Sequence, residues 1–96
     1  MIMYEISDLL YLKVAKHLSD AIGEKEFYSG VVALVDGDVE CRLCCTLIVS
    51  RSAENGPEDR VRITRLSPVW WEFNTMKGGV VIDNDFSFRT MLTYFY

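Results

Sequence analysis

Residues 31–50 have the sequence VVALVDGDVECRLCCTLIVS, and this stretch decides the fold. Two apolar, β-branched runs flank Asp36-Gly37, and an Asp-Gly step between such runs is a strong signal for a β-hairpin. In the second run every odd position from 39 to 49 is apolar, whereas the even positions mix charged, polar and apolar residues. This period of two predicts a long strand over residues 39–50, with its apolar face in the core and its mixed face directed outward.

The segment before the hairpin predicts a helix. Its apolar residues recur every three or four positions between residues 7 and 22, which is typical of an amphipathic helix over residues 8–22. Ser7 is placed to cap the first turn, Ile6 to pack against Tyr11, and Gly23 to end the helix in a left-handed conformation.

The segments after the hairpin predict further strands. Residues 51–58 contain Asn-Gly-Pro and no periodicity, so we expect a loop there. Residues 59–66 alternate as a strand, Ser67-Pro68 is expected to break it, and residues 69–76 and 80–82 are expected to form two more. The last ten residues fit both a strand period and a helical period, and the acidic turn at residues 83–85 favours a helix from about Ser87.

Together these elements predict a single α+β domain that spans residues 1–96. Its two layers are the N-terminal helix and an antiparallel meander of four or five strands, closed by a short C-terminal helix. A folded chain of this mass is expected to expose about 5,600 Å² and needs neither metal nor disulfide to hold its core.

Composition excludes several classes of protein. Half of the 96 residues are apolar, with two prolines and six glycines, which is too hydrophobic for a disordered chain. No window approaches the ~20 uncharged apolar residues of a membrane span, so no membrane association is expected. The first residues show no secretion signal, which predicts a cytoplasmic protein. The net charge of −4 argues against a domain that binds DNA by phosphate neutralisation alone.

The sequence offers no constellation of catalytic, cofactor-binding or metal-ligating residues. Cys41 and Cys44 have a Cys-x-x-Cys spacing, but within a strand they project to opposite faces, unlike the thiols of a redox pair. The three cysteines and the one histidine, His17, make a poor zinc site. We expect structural, reduced thiols, with Cys44 more exposed than Cys41 and Cys45, and we predict that the protein is not an enzyme and binds no cofactor or metal.

The twelve aromatic residues suggest where a surface could act. Tyr11, Phe27, Trp71 and Phe73 are predicted to serve the core, with Trp71 packed under the helix. Trp70 then projects from the opposite face of the sheet, where an exposed indole is a common interface anchor. The remaining aromatics, between residues 86 and 96, are expected either to dock on the sheet or to mediate association.

Arginines add to the same candidate surface. Arg60 and Arg62 share one face of a predicted strand, and Arg42 lies on the polar face of another. The candidate interaction surface therefore comprises six residues: Trp70, Arg42, Arg60, Arg62, Tyr94 and Tyr96. The favoured alternative for the arginines is cross-strand pairing with acids such as Glu40, Glu58 and Glu72, which would only solubilise an exposed face.

Residues 67–75 (SPVWWEFNT), 83–88 (DNDFSF) and 23–30 (GEKEFYSG) carry a resemblance to a set of small hypothetical bacterial proteins. In that set an N-terminal helix precedes a similar meander. The resemblance implies a bacterial or mobile-element setting, but it implies no activity and carries no functional residue onto this chain.

The function expected from these features is that of a non-enzymatic interaction or accessory module. Its partner would be a protein, and self-association as a homodimer is one of the expected arrangements. The alternative is a nucleic-acid-binding module that uses Arg42, Arg60, Arg62 and Trp70. An enzyme that uses Cys44 or His17 is the least favoured class. Strand order and the identity of the partner are left open.

Overall fold

A computed structural model describes residues 3–53 and 61–95. The elements follow in the order β1 (Met3–Tyr4), α1 (Asp8–Ile22), β2 (Phe27–Asp36), β3 (Val39–Ala53), β4 (Val61–Lys77), β5 (Val80–Asn84) and α2 (Phe88–Phe95). The five strands form one sheet in the order β1-β5-β4-β3-β2. The predicted α+β architecture, with an N-terminal helix, a mostly antiparallel sheet and a short C-terminal helix, is confirmed. β1 was not predicted, and it pairs parallel to β5.

α1 begins and ends where its sequence signals lie. The Oγ of Ser7 accepts a hydrogen bond from the backbone N–H of Leu10 at 3.1 Å, and Gly23 ends the helix with a φ of 55°. A positive φ is cheap only for glycine, which explains this residue at the helix end. One stripe of the helix is buried in the core: Leu10, Tyr11, Val14, Ala15, Leu18 and Ile22.

β2 and β3 form the hairpin predicted around Asp36-Gly37. Their ladder runs without a register shift from the pair Phe27–Ile48 to the pair Asp36–Val39. The odd residues of β3 from 39 to 49 are buried, as predicted, so the apolar face of this strand lies in the core. The even residues of β3 consequently lie on the opposite side of the sheet.

β4 is one long strand where the sequence predicted two. Pro68 lies inside it, opposite Leu47, and the register shifts at this point so that Val69 is the extra residue of a bulge. Proline cannot donate to a ladder, and a bulge is one of the few places where a sheet accepts it. The expected break at Ser67-Pro68 is therefore wrong.

β3 continues to Ala53, past the expected start of the loop at residue 51. The rest of that loop, up to residue 58, lies outside the described residues.

The β3–β4 ribbon sets the shape of the molecule. The two strands stay paired from Val39–Lys77 to Ala53–Val61. At about 3.3 Å per residue, a strand of this length is about 50 Å long. This matches the longest dimension of the molecule, 51 Å, whereas the other two dimensions are only 23 and 18 Å.

Phe86 lies at the centre of an aromatic cluster that joins the helices to the sheet. Its ring stacks on Phe73 with a centroid distance of 4.0 Å and contacts Tyr11 at 5.4 Å and Trp71 at 5.8 Å. Offset-stacked and tilted arrangements of this kind stabilise aromatic pairs beyond the burial of their area. Of the two alternatives for the C-terminal aromatics, docking thus holds for Phe86.

α2 packs beside α1 on the same side of the sheet. Its Phe88 and Met91 are buried, and Phe88 contacts Trp71 at 5.9 Å. Tyr94 stacks on Tyr11 at 5.5 Å, and its hydroxyl donates to Asp8 at 2.6 Å. The C-terminal segment therefore completes the helical layer.

Asn84, the last residue of β5, and Asp85 after it form hydrogen bonds to β4 and to the N-terminal segment. The side-chain amide of Asn84 donates to the carbonyl of Phe73 and to the hydroxyl of Thr75, both at 3.2 Å. Asp85 accepts a hydrogen bond from the backbone N–H of Ile6 at 2.7 Å. These polar side chains therefore have a structural role, although residues 83 and 84 belong to β5 and not to the acidic turn expected at residues 83–85.

Arg51 connects the end of α1 to β3. Its guanidinium donates to the backbone carbonyls of Gly23 at 2.7 Å and Lys25 at 2.9 Å. The last turn of α1 contains no basic residue, so Arg51 supplies the positive charge that favours a helix C-terminus. It also provides hydrogen-bond donors to two backbone carbonyls that follow the helix.

We predict that Arg51→Leu lowers the free energy of unfolding by about 1–3 kcal/mol, because two charge-assisted hydrogen bonds are lost. Arg42→Leu is the matched control, since Arg42 is exposed and forms no hydrogen bond or ion pair with the described part of the chain. Its effect should stay within about 0.5 kcal/mol. Urea unfolding followed by circular dichroism measures both, and equal effects of the two substitutions would contradict the assigned role of Arg51.

Candidate functional site

The face of the sheet opposite the helices, here called the outer face, carries the candidate site. It is formed by the odd residues of β2 and the even residues of β3 up to Ser50. On β4 it includes Arg65, Ser67, Trp70, Glu72, Asn74 and Met76, and on β5 it includes Val81. Six large apolar side chains on it are more than half exposed: Phe27, Val31, Val35, Ile48, Trp70 and Val81. Within the described residues, no helix or loop covers these side chains.

Charged groups lie among these apolar side chains. Arg42 lies opposite Asn74, and Glu72 lies opposite Cys44, two positions along the ladder. Glu40 lies two positions to the other side of Arg42 on the same strand. In the described part of the chain, Arg42 forms no hydrogen bond or ion pair, so the expected cross-strand pairing of this arginine with Glu40 or Glu72 is not formed.

A shallow concavity of about 420 Å³ opens at the end of this face near the hairpin turns. Its apolar wall includes Val35, Met76 and Val81, and its polar side chains are Glu40, Arg42 and Asn74. An apolar pocket with a few polar groups at its rim is suited to an apolar anchor residue that is followed by a charged or amide group.

The structure brings together only part of the predicted surface. Trp70, 52% exposed, and Arg42 both lie on the outer face. The backbone of Arg62 pairs with Ser52 in the distal ribbon, which is the part of the β3–β4 ribbon formed by residues 51–53 and 61–63. Arg60 and Tyr96 lie outside the described residues. Tyr94 lies in the helical layer, against Tyr11, and so belongs to the other side of the molecule.

Two aromatic residues differ from their predicted places in the core. Phe27 is 58% exposed, because the register of the hairpin directs the odd residues of β2 outward and places Tyr28 in the core instead. Trp71 lies on the helical side, as expected, but it is 39% exposed and contacts Phe86 and Phe88 of the C-terminal segment. It does not pack under α1.

Most of the apolar side chains of the outer face were missed by sequence reasoning. The faces of β2 could have been assigned from the alternation in β3 and a two-residue turn at Gly37-Asp38. That turn fixes Val35 opposite Glu40 and Val31 opposite Cys44, and both partners lie on the mixed face of β3. The register of the hairpin is therefore the signal from which the outward-facing side chains of β2 can be identified.

The cysteines occupy the predicted positions. Cys41 and Cys45 are buried and Cys44 is partly exposed, and all three are free thiols. Burial raises the pKa of both Cys41 and Cys45 to about 11. A thiol with a raised pKa stays protonated near neutral pH and is a poor nucleophile and a poor metal ligand.

Two tyrosines hold carboxylates in structural hydrogen bonds. The hydroxyl of Tyr4 donates to Asp36, and burial together with this bond raises the pKa of Tyr4 above its ordinary value. The bond of Tyr94 to Asp8 likewise raises the pKa of Tyr94. These contacts tie β1 to the hairpin turn and α2 to the start of α1, and they form no acid–base pair near the outer face.

Comparison with protein-family models, with curated proteins and with solved structures finds no match to this chain. Over the described ranges, no group of three or more histidine, cysteine, aspartate or glutamate side chains is arranged to hold a metal ion. No helix in those ranges is long and apolar enough to cross a membrane. The resemblance to small bacterial proteins stays a prediction.

We predict that only Cys44 reacts with a thiol reagent in the native protein near pH 8. With a pKa of about 11, Cys41 and Cys45 hold about a thousandth of their thiols as thiolate at that pH, and they are also buried. Their reaction should accelerate as pH rises toward the raised pKa. Titration with Ellman's reagent should give one fast equivalent, which Cys44→Ser removes, and three after denaturation. Two or more fast equivalents in the folded protein would contradict this assignment.

Proposed function

We propose that this chain is a non-enzymatic interaction module that binds a partner protein through the outer face of its sheet. The observation that carries the proposal is the cluster of exposed apolar side chains on that face, from Phe27 of the edge strand to Val81 of β5. Contiguous exposed apolar patches on small proteins mark sites of interaction.

The total accessible surface supports the same proposal. The chain exposes 6548 Å², whereas a compact monomer of its mass would expose about 5,600 Å². The excess is about the area that one partner contributes to a protein–protein interface of standard size, ~800 Å².

The chemistry of the outer face is also that of a protein interface. Trp70 and Arg42 belong to the residue types that are enriched at such interfaces and that carry most of the binding energy in them. The free guanidinium of Arg42 suits a partner carboxylate, and Glu40 and Glu72 suit partner lysines or arginines. A partner that combines an apolar anchor with both signs of charge would complement this surface.

The nucleic-acid alternative is less well supported by the charges on this face. Arg42 lies between Glu40 and Glu72 along the ladder, so it forms no continuous basic stripe. Trp70 lies opposite Thr46, four positions from Arg42, a separation of about 13 Å along the strand. A phosphate backbone would meet two carboxylates beside Arg42, and Arg65, the other described arginine of this face, lies opposite Ser50, about 26 Å along β3 from Arg42.

Site-specific photo-crosslinking tests the proposal. A photo-reactive benzoylphenylalanine at position 70 or 48, on the outer face, is compared with the same residue at position 9 or 12 of α1. Leu9 and Leu12 are matched controls, because they are as exposed as Ile48 and Trp70 but lie on the helical side. Outer-face positions should give a discrete protein adduct in a lysate of the source cells, and helix positions should not.

The captured protein is then purified and titrated with the intact chain. Val81→Glu places a charge in the apolar concavity and should weaken binding about tenfold or more, whereas Leu12→Glu should leave it unchanged. Equal adducts from both sides of the molecule, or equal effects of the two substitutions, would refute the proposal. Retention of a labelled single strand at low salt that is lost in Arg42→Glu would favour the nucleic-acid alternative.

A further inference from the structure

β2 is an edge strand that lacks the usual protection against pairing. It is ten residues long and has β3 on one side only, whereas the opposite edge of the sheet is the two-residue β1. Edge strands are commonly protected by shortness, a charged residue, a proline or a bulge. Residues 27–35 contain no charged residue and no proline, and the ladder with β3 runs through them without a register shift.

The backbone groups on this edge follow from the ladder. The N–H of Val49 donates to the carbonyl of Glu26 at 2.8 Å, and this pair continues the register of β2 and β3. Hydrogen-bonded and non-hydrogen-bonded pairs alternate along an antiparallel ladder, so the even residues of β2 bond to β3. The odd residues direct their N–H and C=O groups to the open edge: Phe27, Ser29, Val31, Ala33 and Val35. Within the described residues, no strand or loop is bonded to these groups.

We propose that β2 pairs in antiparallel fashion with β2 of a second copy of this chain, about a two-fold axis beside Val31. In this register Val31 faces Val31 of the second copy, Phe27 faces Val35, and Ser29 faces Ala33. All five open residues then pair, with about ten hydrogen bonds, since each such pair exchanges two. Sliding the register by two residues in either direction leaves one residue at the end of each strand unpaired.

The side chains of the edge complement themselves in this register. Phe27 opposite Val35 is an aromatic–β-branched pair, and Val31 opposite itself is a pair of β-branched residues, both of which stabilise sheets. These three side chains are 58%, 61% and 54% exposed in one copy, so pairing removes apolar surface from water. Charges meet only beyond the ladder, where Glu26 comes opposite Asp36 at each end, a like-charge pair that opposes the pairing.

The surface and the symmetry favour a second copy as the occupant. A two-fold interface requires the same surface to complement itself, and the register centred on Val31 meets that requirement. The side chains that meet across this axis, Phe27, Val31 and Val35, are more than half exposed in one copy, so the self-complementary surface is available for pairing. The axis is perpendicular to the sheet, so the two five-stranded sheets become continuous, with both helical layers on one side and both outer faces on the other.

Charge substitution at the axis tests the register, because residue 31 meets its own copy there. Sedimentation velocity should show a dimer of the unmodified chain at micromolar concentration. Val31→Lys and Val31→Asp should each weaken dimerisation about 100-fold, since each places like charges directly opposite one another. An equimolar mixture of the two variants should recover the dimer as a heterodimer, at least about tenfold tighter than either variant alone.

Ile48→Lys is the matched control, because Ile48 is 51% exposed on the same outer face but lies on the interior strand β3. It should leave the dimer intact, and circular dichroism should show all variants folded. A strictly monomeric unmodified chain, a mixture that recovers no dimer, or a dimer lost in Ile48→Lys but kept in Val31→Lys would each overturn the proposal. The inference does not rest on the proposed function, because a monomeric chain can also bind a partner protein through its outer face.

Discussion

The register between β2 and β3 is the constraint on which the rest of the structure depends. Side chains alternate along a strand, so one closing pair, Asp36 with Val39, assigns every residue of both strands to a face. It directs Tyr28 and Val32 toward the helices and leaves Val31 and its odd neighbours outside. The core under α1 and the exposed outer face are thus two consequences of the same hairpin.

The parts of the fold that could be predicted are those whose signals are local. α1 begins after Ser7 and ends at Gly23 because capping bonds and a left-handed turn involve only neighbouring residues. The C-terminal helix begins near Ser87 for the same reason, since its Oγ accepts a hydrogen bond from the N–H of Thr90 at 3.2 Å. The alternation in β3 lies within one strand, and it predicted both the core face and the partial exposure of Cys44.

The parts that could not be predicted depend on residues that are far apart in the sequence. β1 exists only because β5 lies beside it, and Phe86 is buried only because Tyr11 and Phe73 meet it from two other elements. The bulge lets β4 continue through Pro68, which no local rule anticipates.

In the candidate surface, the alternation of residues along each strand alone correctly predicts that Trp70 and Arg42 project outward. The pattern of the terminal aromatics does not decide between docking and association, so it could not place Tyr94 in the helical layer. The apolar members on β2 could be placed only from the hairpin register.

The bond between Arg51 and the end of α1 has a consequence for local stability. Arg51 lies beyond the part of β3 that pairs with β2, and it holds the carbonyls of Gly23 and Lys25 at the junction between α1 and β2. Opening of the distal ribbon therefore also removes these two hydrogen bonds from the junction. In native-state hydrogen exchange, the amides of the last turn of α1 and those of the distal ribbon should behave as one opening unit, although 26 or more residues separate them in sequence.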